Sequence, residues 1–116
     1  MPTAANAITA YGDDYVMVNG ARRDTSVIVT ATEVKPWSAQ DFEHLKEEDF
    51  AVLAELGTEI VLLGTGPRQR FPHPRLTTAL GAKRIGLEVM DLKAACRTFN
   101  ILIAEERKVA LALLFE

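Results

Sequence analysis

Glu59-Ile-Val-Leu-Leu-Gly-Thr-Gly66 opens the stretch that decides the fold, and Gly86-Leu-Glu-Val-Met-Asp91 and Val109-Ala-Leu-Ala-Leu-Leu-Phe115 complete it. Ile60–Leu63 is apolar at every position, the pattern of a strand buried on both faces of a parallel sheet. Ile85 to Met90 reads as the next strand, and Asp91 is placed to cap a helix with its carboxylate. That helix carries an apolar stripe of Leu92, Ala95, Cys96, Phe99, Leu102 and Ile103 at helical spacing. Between the first two strands, His73-Pro74 suits the start of a short helix, because proline's missing amide costs nothing there. Leu76 and Leu80 share one face of it, and Gly81 is expected to end it.

The segment 109–115 has good helix formers and could extend the preceding helix. A single helix from Asp91 to Phe115 would be long for so small a domain and apolar all round at its end. The charged run Glu105-Glu-Arg-Lys108 breaks it instead, so the last segment is read as a strand. The order across residues 59–115 is then β-α-β-α-β.

Upstream, the chain reads as β. Ile8–Tyr11, Tyr15–Val18 and Ser26–Ala31 are short runs rich in Val, Ile, Thr and Tyr, punctuated by Gly12-Asp-Asp14. Asn19-Gly20 is a hairpin signal, since a type I′ turn needs positive φ at both central residues. Val27, Val29 and Ala31 alternate with Ile28 and Thr30, which predicts a strand packed on both faces or lying centrally. Pro36 ends it. Ser38-Ala-Gln-Asp41 has the form of a capping box. Phe42, Leu45, Phe50, Leu53 and Leu56 follow at helical spacing as one helix or two short ones, with Gly57 as the stop. The expected architecture over residues 1–116 is thus one compact α/β domain.

Composition bounds the function. At 116 residues, 48% hydrophobic and 25% charged, the chain has the make-up of a globular domain with one core. A formal charge of −3 argues against a general nucleic-acid binder. The longest apolar run, 109–115, is too short to span a bilayer as a helix. The first eleven residues lack a basic flank or long apolar run and do not read as a secretory signal. A single cysteine, Cys96, excludes an intrachain disulfide and any multi-thiolate metal site and suits a reducing compartment; the cytoplasm is the expected location.

The chemistry-bearing residues are few. Gly64-Thr-Gly66 follows a strand as in dinucleotide-binding loops, but Gln69 stands where a third glycine is needed and Pro67 intervenes. Arg68, Arg70, His73 and Arg75 crowd beside that turn, past the carboxyl end of a strand, where open α/β sheets bind ligands. Four potential cations there suit a phosphate or carboxylate. Asp91 and Arg97 lie at the start of the following helix and join them as candidates. Glu88 and Asp91 are three apart, with capping and a local salt bridge as their expected roles. Cys96 shares the stripe of Phe99 and Ile103 and reads as a buried structural thiol. His44 and His73 belong to no set with metal-ligand spacing, so neither metal nor cofactor is expected.

The segments Ile60-Val-Leu-Leu-Gly-Thr-Gly66, Gly86-Leu-Glu-Val-Met-Asp91, Ala95-Cys-Arg-Thr-Phe-Asn-Ile-Leu102 and Glu106-Arg-Lys-Val-Ala-Leu-Ala112, with Trp37 after a β-rich start, resemble the domain of unknown function 498 family. Its relatives include the mitochondrial complex I assembly factor 3 and the adipogenesis-associated domain protein. The resemblance implies a three-layer α/β domain with mixed sheets and a final strand, and it implies no established catalytic residues. Together with the lack of a complete catalytic set in the sequence, it points to a small non-enzymatic binding or assembly module acting through protein contacts, linked by resemblance to respiratory-complex assembly. A protein partner is expected, with the chain a monomer or small homo-oligomer. The alternative is an enzyme or sensor for a small anion, bound by Gly64, Gly66, Arg68, Arg70, His73, Arg75, Asp91 and Arg97.

Overall fold

A computed structural model describes residues 5–115. Among these residues the chain forms eight strands and three α-helices, and a strand-rich start followed by β-α-β-α-β is as expected. The first three strands, β1 (Ile8–Tyr11), β2 (Val16–Val18) and β3 (Ala21–Arg23), form an antiparallel sheet in sequence order. Asn19 and Gly20 join β2 to β3 with φ of 52° and 85°, as the type I′ turn requires.

The larger sheet is mixed, in the order β5-β4-β8-β6-β7. It comprises β4 (Val27–Val29), β5 (Val34–Pro36), β6 (Ile60–Thr65), β7 (Gly86–Met90) and β8 (Val109–Leu114). β6 runs parallel to both β7 and β8, while β4 is antiparallel to β8 and to β5. The final segment is therefore a strand, and all six of its residues are buried. Sequence reasoning did not separate β5, which pairs Val34–Pro36 back onto β4 and places Pro36 on an outer edge, where a missing amide is harmless.

Alternation divides the core. Val109, Leu111 and Leu113 of β8, with Leu62, Val27 and Val29, face α3 (Leu92–Ala104) and the small sheet. Ala110, Ala112 and Leu114, with Val61, Leu63 and Ile28, face α1 (Glu47–Ala54) and α2 (Thr78–Ala82). The chain steps from β6 to β7 in one direction, then back over β6 to β8. Right-handed crossovers stepping opposite ways put their helices on opposite faces. The result is three layers, with the five-stranded sheet in the middle.

Two helix boundaries differ from expectation. Ser38–Asp41 does not cap a helix, and Phe42 and Leu45 lie in a non-helical segment before α1. The Ser38 hydroxyl donates instead to Asp49 Oδ1 at 2.6 Å, and Asp49 Oδ2 accepts from the Lys46 amide at 2.9 Å. Trp37 Nε1 also donates to the Asp49 carbonyl at 2.9 Å, and its ring meets Phe50 edge-on at 6.1 Å. The long-range bonds from Ser38 and Trp37 and the local one from Lys46 gather on Asp49, and the helix starts eight residues later than the box suggests. Second, Gly81 lies inside α2 rather than ending it. Pro74–Thr77 is a 3-10 turn leading into α2, and Arg84 at φ 58° takes the left-handed closing position, with Ile85 N donating to Leu80 O at 2.9 Å.

Candidate functional site

The parallel register aligns Gly64 with Met90, so the loops leaving β6 and β7 emerge side by side at one end of the sheet. Gly64 is needed for packing rather than for φ. A Cβ there would lie 2.6 Å from Leu113 Cδ2 and 3.2 Å from Ala95 Cβ, so its absence lets α3 close onto the sheet. Gly66, at φ 84°, makes the turn out of the strand. Its carbonyl accepts from Leu92 N at 2.8 Å, tying the turn to the first residue of α3. Asp91 caps that helix as expected, its Oδ1 accepting from Ala94 N at 2.9 Å.

Thr65, fully buried, organises the loop above it. Its hydroxyl donates to Arg68 O at 2.6 Å, with Met90 O also in reach at 3.3 Å, and accepts from Arg70 N at 3.0 Å. Arg70 folds back: Nη2 donates to Thr65 O at 3.2 Å, and the guanidinium lies 4.5 Å from the centroid of the Phe42 ring, with Glu43 at 3.9 Å. Gln69 Nε2 donates to Val89 O at 2.9 Å. His73 starts the 3-10 turn, its Nδ1 accepting from Arg75 N at 3.1 Å. With its neighbours held inward or along the sheet edge, Phe71 is left 69% exposed between Gln69-Arg70 and Pro72.

The eight candidate residues therefore do not form one cluster. Gly66, Asp91 and Arg97 line a cleft of about 300 Å³ with Gly12, Asp13, Pro67, Leu92 and Lys93. Its charges are mixed. Lys93 Nζ meets Asp13 Oδ1 at 3.1 Å, and Arg97 Nη1 donates to the Tyr11 hydroxyl at 3.5 Å. Arg68, His73 and Arg75 are exposed along the loop, Arg70 points into the protein, and Gly64 lies beneath in the core. Glu88 is exposed and has no ion pair among the described residues, unlike the salt bridge expected of it. Burial pushes the Cys96 thiol up to about 12, with Arg97 opposing weakly. A thiol so hard to ionise is a poor nucleophile. Sequence reasoning gave no role to Thr65, Gln69 or Phe71, and only the apolar-to-polar change at Leu63-Gly-Thr65 hints at the first.

Among the described residues no three His, Cys, Asp or Glu side chains gather as a metal site, and no helix is long and apolar enough to cross a membrane. Fold and site define a small mixed-sheet α/β domain whose distinctive surface is an aromatic-bearing loop braced by a buried threonine.

A family model described as "Protein of unknown function (DUF498/DUF598)" matches residues 8–114, and the chain belongs to this family. A crystal structure of a Bordetella parapertussis protein is 39% identical, covers 98% of both chains and superposes with a TM-score of 0.92. Among curated proteins, the Bos taurus NADH dehydrogenase [ubiquinone] 1 alpha subcomplex assembly factor 3 is 32% identical over 109 residues. That match takes in 92% of this chain but only 59% of the relative's length. A Francisella tularensis "13 kDa major membrane protein" is 27% identical over 86 residues, 72% of this chain and 70% of that one.

Proposed function

We propose that the chain is a protein-docking module acting in the assembly of a multi-subunit complex, and that it engages its partner through the loop of residues 66–75 with Phe71 as anchor. The carrying observation is an aromatic side chain 69% exposed on a loop that hydrogen bonds to the buried Thr65 hold in place. Exposed aromatic and arginine side chains are the residues that most often dominate protein interfaces. A loop braced before binding loses less entropy when a partner closes on it. Pro67, Pro72 and Pro74 restrict it further. Arg68 and Arg75, exposed beside Phe71, suit an acidic rim on the partner. The assembly-factor name of a relative 32% identical supports an assembly role.

A small anion held by the loop's cations is the second reading, and the geometry supports it less. Such a site needs its cations to converge, whereas Arg70 turns inward onto Thr65 and Phe42.

The test compares tagged wild type with Phe71→Ala and Arg68→Ala/Arg75→Ala as baits in native extract. Loss of an anchor in a desolvated pocket costs about 2 kcal/mol or more, roughly a thirtyfold weakening. The expected result is a partner recovered by wild type and lost with Phe71→Ala, and recovered by the arginine variant with altered salt dependence. Equal recovery by wild type and Phe71→Ala would refute the reading.

A further inference from the structure

The two sheets expose four edges, and three are closed. At β1, Asn100 of α3 receives the Ile8 amide on Oδ1 and donates Nδ2 to the Ile8 carbonyl, both at 2.9 Å. β3 is three residues long and carries Arg22 and Arg23. β5 is equally short and presents Lys35 and Pro36. Charged side chains, proline and brevity are the usual protections of a sheet edge.

The fourth edge, β7, is less protected, with Glu88 as its one charge. It is five residues long and, within Gly86-Leu-Glu-Val-Met90, has no proline or lysine. Gly86 N donates inward to Glu59 O, so Gly86, Glu88 and Met90 direct their backbone groups to β6. Leu87 and Val89 direct theirs outward. Gln69 Nε2 occupies the Val89 carbonyl, and no described residue pairs with the Leu87 amide or carbonyl. Beside this edge runs a groove of about 400 Å³ walled by Phe71, Pro72, Pro74 and Thr77 on one side and Leu87 and Val89 on the other.

We infer that β7 is completed by an extended segment of the partner protein, added as a sixth strand in the slot between this edge and the loop. This inference rests on the docking reading above and specifies its mode, in which main-chain bonds give affinity and alternate side chains give specificity. The slot also defines the segment's pattern. Leu87 and Val89 face the α1–α2 side with the loop, so the partner's residues there are apolar and pack under Phe71. Glu88 also borders the groove, but by alternation its side chain leaves toward the opposite face, exposed and without an ion pair among the described residues, so the intervening partner residue is Lys or Arg. A second copy of this chain fits poorly, because β7 itself alternates apolar, acidic, apolar. Two such strands would bring Glu88 side chains together on one face, where like charges repel.

The probe is a blocked seven-residue peptide alternating Val and Lys, compared with one alternating Val and Glu, each titrated into the 15N-labelled full chain. The Val/Lys peptide should shift the Leu87 amide and slow its hydrogen exchange about tenfold at saturation. The Val/Glu peptide should do neither on wild type and both on Glu88→Lys. A Val/Lys peptide N-methylated on alternate residues, which leaves the protein untouched, should lose the effect. The proposal is overturned if the Leu87 amide does not respond to the Val/Lys peptide, or responds equally to the methylated one. It is also overturned if the free chain dimerises with the Leu87 amide protected, since a second copy would then hold the edge. Either failure alongside loss of partner with Phe71→Ala leaves the loop reading standing; failure of both experiments removes both.

Discussion

Replacing Gly64 by alanine tests whether this glycine serves packing rather than ligand approach. The added Cβ would lie 2.6 Å from Leu113 Cδ2, 3.2 Å from Ala95 Cβ and 3.4 Å from Leu92 Cα. Optimal carbon–carbon separations are roughly 3.5–4.0 Å. Leu113 and Ala95 are fully buried, so neither has open space to move into. Forcing one extra methyl into a filled core costs about 1–3 kcal/mol. For a chain of this size that lowers the thermal midpoint by about 4–12 °C. The worst contact is with one leucine methyl, so Leu113→Val, which removes it, should recover part of the loss. In a double-mutant cycle the pair should couple favourably by about 0.5–3 kcal/mol. Gly86→Ala is the internal control, because its nearest neighbour would be Glu59 O at an ordinary 3.8 Å. It should be neutral or stabilising by up to about 1 kcal/mol, through reduced unfolded-state entropy. Scanning calorimetry and urea titration of the four variants decide the matter. If Gly64→Ala melts with the wild type, or the pair is strictly additive, the packing account is wrong.

Three further outcomes are expected. Glu106 closes α3 at φ 62°, with Arg107 N donating to Leu102 O at 2.9 Å; Glu106→Gly should raise stability by about 1 kcal/mol in urea titration, relieving a left-handed side chain. Asp91→Ala removes the acceptor of the Ala94 amide and should cost about 1 kcal/mol with an unchanged urea slope. Cys96 has its folded-state value raised from 9.0 to about 12, so its contribution is fully present below pH 9 and is lost as pH rises toward 12. Between pH 8 and 10.5 the wild type should therefore lose more stability than Cys96→Ala, and a thiol reagent should react far more slowly before denaturation than after it.

The elements legible in the sequence are those whose signals are local. The Leu92–Ile103 stripe, the Asp91 cap and the Asn19-Gly20 turn depend on spacing and dihedral preference over a few residues, and each stands as read. The final strand was legible because the charged run 105–108 outweighs the helix propensity of its alanines and leucines, and pairing with both β4 and β6 then buries it completely. The false helix start at Ser38 shows where such reasoning stops. Phe42 and Leu45 have helical spacing, but Phe42 is held beneath the Arg70 guanidinium, 28 residues away, and Asp49 recruits Ser38 and Trp37 from outside the helix.

The candidate site divides the same way. Sequence alone placed glycines, arginines and a histidine in one loop after a strand, but adjacency along the chain does not set where side chains point. Thr65, buried at the end of β6, sets the loop's path, draws Arg70 inward and leaves Phe71 outside. Gly66, Asp91 and Arg97 share a cleft because parallel pairing of β6 with β7 aligns their exits. Register between strands more than twenty residues apart, and the one hydroxyl buried between them, are properties of the packed sheet. No window along the chain contains them.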